Sequence, residues 1–189
     1  MTQQDDFSEA AKVPLDELHI EPFLETRKVA GFSCGNRDLD EFLCTEEVQK
    51  YEGEGLGSTF LVFWKGKLVA YFTTSFDALR IEYLRTWKSF SRMAEMRMDA
   101  IPALKIGRLA VATGYQGRGI GRQLIRHIAG MALESRGQGG VRLLVLQAKP
   151  ESVEFYRKCG FELTFETRRE RGKKNRTMFL DLHALEGVA

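Results

Sequence analysis

The chain is poor in the features that mark a secreted or membrane-bound protein. Its three cysteines, Cys34, Cys44 and Cys159, form no Cys-x-x-Cys pair, and an odd number argues against a disulfide framework. No run reaches the ~18 consecutive apolar residues of a membrane-spanning helix, and no basic-then-apolar leader opens the sequence. Neither sign of charge dominates. Lysine and arginine total 28 against 26 acidic residues, a formal net charge of +2, which by itself implies no nucleic-acid partner. Internal repeats, low-complexity tracts and domain linkers are also missing, and no metal is expected. What remains is an ordinary globular chain of 189 residues, 43% hydrophobic and 29% charged. It is long enough for one well-filled core, with the reducing cytoplasm as its expected location.

Residues 1–13 are polar and aperiodic and read as a flexible tail; 14–189 read as a single domain. A strand is expected near Arg27–Phe32. Beyond the punctuation FSCGN, the spacing of Leu39, Phe42 and Leu43 predicts one amphipathic helix over DLDEFLCTEEVQKY. STFLVFW and KLVAYFTTSF are rich in aromatic and β-branched residues and flank Lys65-Gly66, which predicts a two-residue hairpin. Residues 80–100 fit either a helix or a long ordered loop. A strand follows over Ala103–Ala112, then a helix from Gly119 to Glu134 that buries Leu124, Ile125, Ile128, Ala129 and Ala132 and is ended by RGQGG. VRLLVLQA reads as a buried strand and ESVEFYRKCGF as a short helix, with Gly160 at its left-handed cap and Phe161 folding back. The last stretch, ELTFETRRERGKKNRTMFLDL, predicts a hairpin turning at GKKN. The order β-α-(β-β)-β-α-β-α-β-β predicts one mixed α/β sheet with helices on both faces.

The most informative stretch is GRLAVATGYQGRGIGRQLI. A strand ends near Ala112, and a turn delivers Gly117, Gly119 and Gly121 to the start of a helix, whose first N–H groups are unpaired and partially positive. Glycines without Cβ atoms let such a loop close on a phosphate, and Arg118 and Arg122 add cations at its rim. A P-loop needs Gly-Lys-Ser/Thr, which is missing, and the dinucleotide pattern GxGxxG fails because Arg122 follows GRGIG. The pattern present is Q-x-x-G-x-G, Gln116 to Gly121. A glycine-rich turn that binds nothing is the alternative.

This pattern resembles the acyl-CoA motif of the GNAT superfamily of N-acyltransferases. A second signature agrees with it: SVEFYRKCGFE places Tyr156 ahead of Gly160-Phe161, and a strand joins the two. The resemblance covers residues 103–162. It implies a mostly antiparallel sheet with splayed central parallel strands, and acetyl-CoA as cosubstrate. The pantetheine arm would lie along Leu109, Ala110 and Val111, and the pyrophosphate on Gln116, Gly117, Arg118, Gly119, Ile120, Gly121 and Arg122. The departing thiolate would take its proton from Tyr156. A phenol titrating near about 10 is protonated at neutral pH, so this acid role is chemically sound, although Tyr156 also shares a packing face with Ser152, Phe155 and Cys159. No general base stands out: His127 reads as a surface or packed histidine, and Glu82, Glu95 and Asp99 fall in the stretch that could not be read.

A closer resemblance, over about residues 30–162, is to the GNAT toxins of bacterial toxin–antitoxin modules. It rests on FSCGNRDLDEFL, STFLVFWKGKLVAYFTTS, IGRLAV with QGRGIG, and AKPESVEFYRKCGF. It implies acetylation of the α-amine of aminoacyl-tRNA, a block to translation, a ribbon-helix-helix antitoxin and often a homodimer. Ala112 stands where that subfamily usually has an acidic residue, and Pro150 where it commonly has aspartate. The basic cluster Arg168, Arg169, Arg171, Lys173, Lys174 and Arg176 could grip RNA phosphates or simply solvate a turn. The other enzymatic possibility is acetylation of a small-molecule or protein amine from the same donor site.

Overall fold

The computed structural model describes residues 12–24, 29–84, 95, 97–164 and 174–186. In chain order the elements are β1 (Leu18–Pro22), α1 (Arg37–Cys44), α2 (Glu47–Gly53), β2 (Ser58–Trp64), β3 (Lys67–Arg80) and β4 (Ala100–Val111). Then come α3 (Ile120–Gly139), β5 (Leu143–Ala148), α4 (Val153–Lys158), β6 (Glu162–Leu163), β7 (Arg176–Asp181) and α5 (His183–Glu186). The strands form one sheet in the order β1-β2-β3-β4-β5-β7-β6. Every neighbouring pair is antiparallel except β4 and β5, which run parallel. This is the mixed, mostly antiparallel sheet the sequence implies.

The period-2 alternation of strands sends neighbouring side chains to opposite faces, and helices cover both. Leu61 and Tyr71 pack with Phe42, Leu43 and Val48 of α1 and α2. Their neighbours Val62 and Phe72 pack with Leu124, Ile125 and Ile128 of α3. At the far end of the sheet, Leu79, Ile101, Leu143 and Phe179 form a third cluster. The hairpin turn is the expected one: Lys65 and Gly66 have φ of 49° and 73°, and two left-handed residues match the twist of the flanking strands.

Four boundaries differ from expectation. The first strand is Leu18–Pro22, paired with β2; of the expected Arg27–Phe32 segment, residues 25–28 lie outside the described part and 29–32 are not strand. The single helix over 38–51 is two helices. Thr45 is extended, with φ −114° and ψ −174°, and its hydroxyl accepts the Glu47 N–H at 3.2 Å, so it starts a new helix instead of continuing the old one. The long helix does not stop at RGQGG. It runs through Gly137 to Gly139, and Gly140, with φ 64°, closes it through its N–H to the Arg136 carbonyl; Arg136 Nε also reaches the Val141 carbonyl at 2.9 Å. Finally, Val13, read as the end of a tail, is 1% exposed and packed in the α3-side core. Within 80–100, β3 continues to Arg80, a 3-10 turn covers Ile81–Leu84 and β4 begins at Ala100. Residues 85–94 and the basic residues 168–173 lie outside the described part.

Candidate active site

The parallel pair builds the site by failing to stay paired. β4 and β5 are in register only from Ala103–Leu143 to Ile106–Leu146. β4 continues to Val111 and β5 to Ala148, but beyond Ile106 the two part. A bulge marks the divergence: Thr73 pairs with Arg108 and Thr74 with Ile106, leaving Gly107 as the extra residue. Bulges re-aim a strand in this way. Gly107 must be glycine there, because a Cβ would lie 2.8 Å from Thr73 Oγ1.

One side of the splay carries the glycine loop. Gly117 and Gly119 have φ of 76° and 81°, in the left-handed region that glycine adopts most readily. Gly119 is the N-cap of α3 and caps it with no side chain, so the first-turn N–H groups are available to an anion. Gly121 has a different reason to be glycine. Its Cβ would meet Phe155 Cζ at 3.1 Å and Val111 Cγ2 at 3.9 Å, so β4, α3 and α4 converge at this point. Gln116 holds the loop: its side-chain amide donates to the carbonyls of Cys34 at 2.8 Å and Val111 at 2.9 Å. The Val13 N–H donates to the Arg118 carbonyl at 3.1 Å, and the Arg118 guanidinium lies 5.6 Å from the Tyr115 ring. Arg122 sits beside the Cys159 thiol; desolvation raises that thiol's pKa and Arg122 opposes the rise.

The FSCGN segment is bonded onto this loop. Asp40 accepts from the Cys34 N–H at 2.7 Å and Ser33 Oγ at 3.0 Å. Desolvation opposes the carboxylate, but bonds from Cys34 and Ser33 outweigh it and hold the pKa below the usual value. So fixed, the Ser33 carbonyl accepts the Thr113 N–H at 2.9 Å while that of Cys34 accepts Gln116.

Tyr156 lies on α4, whose end is a Schellman cap. The Phe161 N–H reaches the Tyr156 carbonyl at 3.0 Å and the Gly160 N–H reaches that of Arg157 at 2.9 Å, with Gly160 at φ 92°. The Tyr156 ring is clamped edge-on between Phe155 at 5.0 Å and Phe161 at 5.7 Å. Burial, with Cys159 adding to it, pushes its phenol up to about 12, so it is protonated at neutral pH.

The other side of the splay opens into a cavity of about 430 Å³ lined by Leu39, Tyr51, Lys105, Gly107, Arg108 and Gln147 among others. The Arg108 guanidinium stacks 3.6 Å over Phe42, lies 5.5 Å from Tyr51 and pairs with Glu47 at 3.2 Å. Lys149 bridges to Asp38 of α1 at 3.7 Å. None of the carboxylates considered as a base lines this cavity. Glu82 pairs with Arg80 at 3.3 Å, Glu95 is exposed, and the Asp99 carbonyl accepts the Ile81 N–H. His127 packs on Phe72 at 6.2 Å, the packed role expected of it. Lys105, Arg108, Tyr51 and Gln147 were legible only as strand or helix residues; Arg108, inside GRLAV, was the one quoted in a motif.

A splayed parallel pair, a glycine loop capping a helix on one side, and a protonated tyrosine on the following helix are parts from which an acyl-transfer site can be built. Residues 89–163 match the family of the acetyltransferase (GNAT) domain. A tRNA-acetylating toxin of Mycobacterium tuberculosis (strain ATCC 25618 / H37Rv) is 26% identical over 137 residues, 72% of this chain and 79% of the toxin. The streptothricin acetyltransferase of Streptomyces lavendulae is 43% identical over 58 residues, 31% of this chain and 30% of that enzyme. Among solved structures, AtaT complexed with acetyl-methionyl-tRNAfMet superposes with a TM-score of 0.75 at 20% identity, covering 90% of this chain and 98% of AtaT. A mutant AtaT toxin bound to the C-terminus of the antitoxin AtaR and acetyl-CoA gives 0.69 at 21%, covering 92% and 98%.

Proposed function

We propose that this protein transfers an acetyl group from acetyl-CoA to the α-amine of aminoacyl-tRNA, acting in the cytoplasm as a translation-blocking toxin held in check by a ribbon-helix-helix antitoxin. The observation that carries the reading is the two-sided splay beyond Ile106, with a helix-capping glycine loop behind it and a separate cavity in front. The tRNA-acetylating relative, matched over most of both chains, favours aminoacyl-tRNA as the acceptor.

The residues present fit acetyl-CoA, which when bound supplies an activated acetyl thioester. Leu109 to Val111 offer a strand edge that β5 does not occupy, although the Val111 carbonyl is already engaged by Gln116. The N–H groups from Gly117 to Arg122 receive the pyrophosphate, with Arg118 and Arg122 at the rim. Gln116 acts by shaping the loop. The amine nitrogen attacks the carbonyl carbon, the C–S bond breaks and an N–C bond forms. Tyr156 gives its phenolic proton to the sulfur, and the proton lost by the amine leaves to solvent. An α-amine titrates at about 7.7–8.0, against about 10.4 for lysine, so it needs less help from a base than a lysine does.

Mass spectrometry of charged tRNA incubated with the protein and acetyl-CoA tests the acceptor. An N-acetylated aminoacyl group is expected; an unmodified one removes this acceptor. The second reading, acetylation of a small-molecule amine, draws on the partial match to streptothricin acetyltransferase. It predicts turnover on small amines with charged tRNA untouched.

A further inference from the structure

A second, smaller cavity of about 140 Å³ adjoins the front cavity, and Lys105 and Gln147 line both. Strand alternation puts Asp77 on the same face as Tyr71 and Thr73, so the second cavity continues the acceptor side of the sheet. Its walls are Asp77, Tyr83 and Thr177 with the two shared residues, over Leu79 and Val145. It is smaller than the ~300–1,000 Å³ of a complete small-molecule site, which suits one part of a larger ligand.

We propose that this cavity is a nucleoside subsite, taking the terminal base and ribose of the acceptor while the front cavity takes the aminoacyl group. The inference rests on the aminoacyl-tRNA reading above. Tyr83, partly buried against the Leu79–Phe179 cluster, offers a ring on which a base can stack, the common way unpaired bases are held. The Asp77 carboxylate is fixed by accepting the Ala78 N–H at 2.7 Å and is suited to a ribose hydroxyl. Gln147 adds an amide group for a base edge. Lys105 Nζ, 3.6 Å from Asp77 Oδ2 and 38% exposed, stands at the junction, where a neighbouring backbone phosphate would be held. Amine and ester come before ribose and base in the acceptor, as splay and front cavity come before the second cavity on the sheet.

The test compares one amino acid presented as its 3′ ester on free adenosine and as its methyl ester, both with acetyl-CoA. The adenosine ester is expected to be used with a kcat/KM about tenfold higher or more. Tyr83→Ala should bring the ratio of the two esters close to one, and Tyr83→Phe, which keeps the ring, should retain it. Acetyl-CoA binding by each variant checks that it is folded. Equal use of both esters by the unaltered protein overturns the subsite while leaving the aminoacyl acceptor standing. Acetylation of neither ester, together with unmodified charged tRNA, overturns both.

Discussion

Tyr156 is held by its neighbours more firmly than a surface phenol would be. Phe155 and Phe161 grip the ring edges, and the cap at Gly160 fixes the turn that brings Phe161 back. Tyr156→Phe keeps those contacts and removes only the proton donor, so kcat should fall by about 100-fold or more while acetyl-CoA binding, measured by calorimetry, is retained. His127 gives a residue-level prediction unrelated to catalysis. Desolvation lowers its pKa, against a smaller opposing effect of Glu134, so the folded state prefers the neutral ring. Its contribution to stability is therefore complete above the unfolded value of about 6.5 and is lost as the pH falls through the folded value. Thermal unfolding from about pH 7.5 to about pH 5 should show a shallower loss of stability in His127→Leu than in the unaltered protein; identical slopes would assign the acid sensitivity to other groups.

At the scale of elements, the glycine loop owes its shape to Gln116 as much as to its glycines. The two amide bonds to Cys34 and Val111 tie the loop to the segment before α1. Gln116→Ala should cost about 1–3 kcal/mol of stability and raise the KM for acetyl-CoA more than it lowers kcat. Denaturant unfolding and steady-state kinetics separate these effects, and an unchanged KM would remove Gln116 from any part in shaping the donor site. The elements themselves were largely legible. Aromatic and β-branched residues around Lys65-Gly66 marked β2 and β3, the apolar stripe of α3 is the buried one, and Gly160 ended α4 as its sequence suggested. Boundaries were lost where local side-chain and capping bonds overrode the apolar and glycine signals. RGQGG looked like a stop, yet Arg136 and Gly140 carry the helix to Gly139. The apolar spacing of 38–51 looked continuous, yet the Thr45 hydroxyl divides it.

For the whole molecule, the glycine loop and the front cavity lie on opposite sides of one sheet opening, so the proposed donor and acceptor steps should respond differently to salt. Transfer to charged tRNA should weaken steeply as ionic strength rises, because a polyanion releases counterions on binding. Transfer to a small aminoacyl ester should change little; parallel declines would mean that salt acts on the donor side instead. Expression should arrest growth of a bacterial host, and Tyr156→Phe should relieve the arrest, as colony counts would show.

The sequence alone carried the reading of the proposed donor site, because the glycines and arginines from Gln116 to Arg122 and the Tyr156–Phe161 cap are contiguous stretches whose backbone consequences are local. The acceptor side was decided only by tertiary structure. Lys105 and Arg108 come from β4, Gln147 from β5, Tyr51 from α2 and Tyr83 from the turn after β3. They meet because a bulge at Gly107 turns β4 away from β5, a pairing event that no local periodicity records.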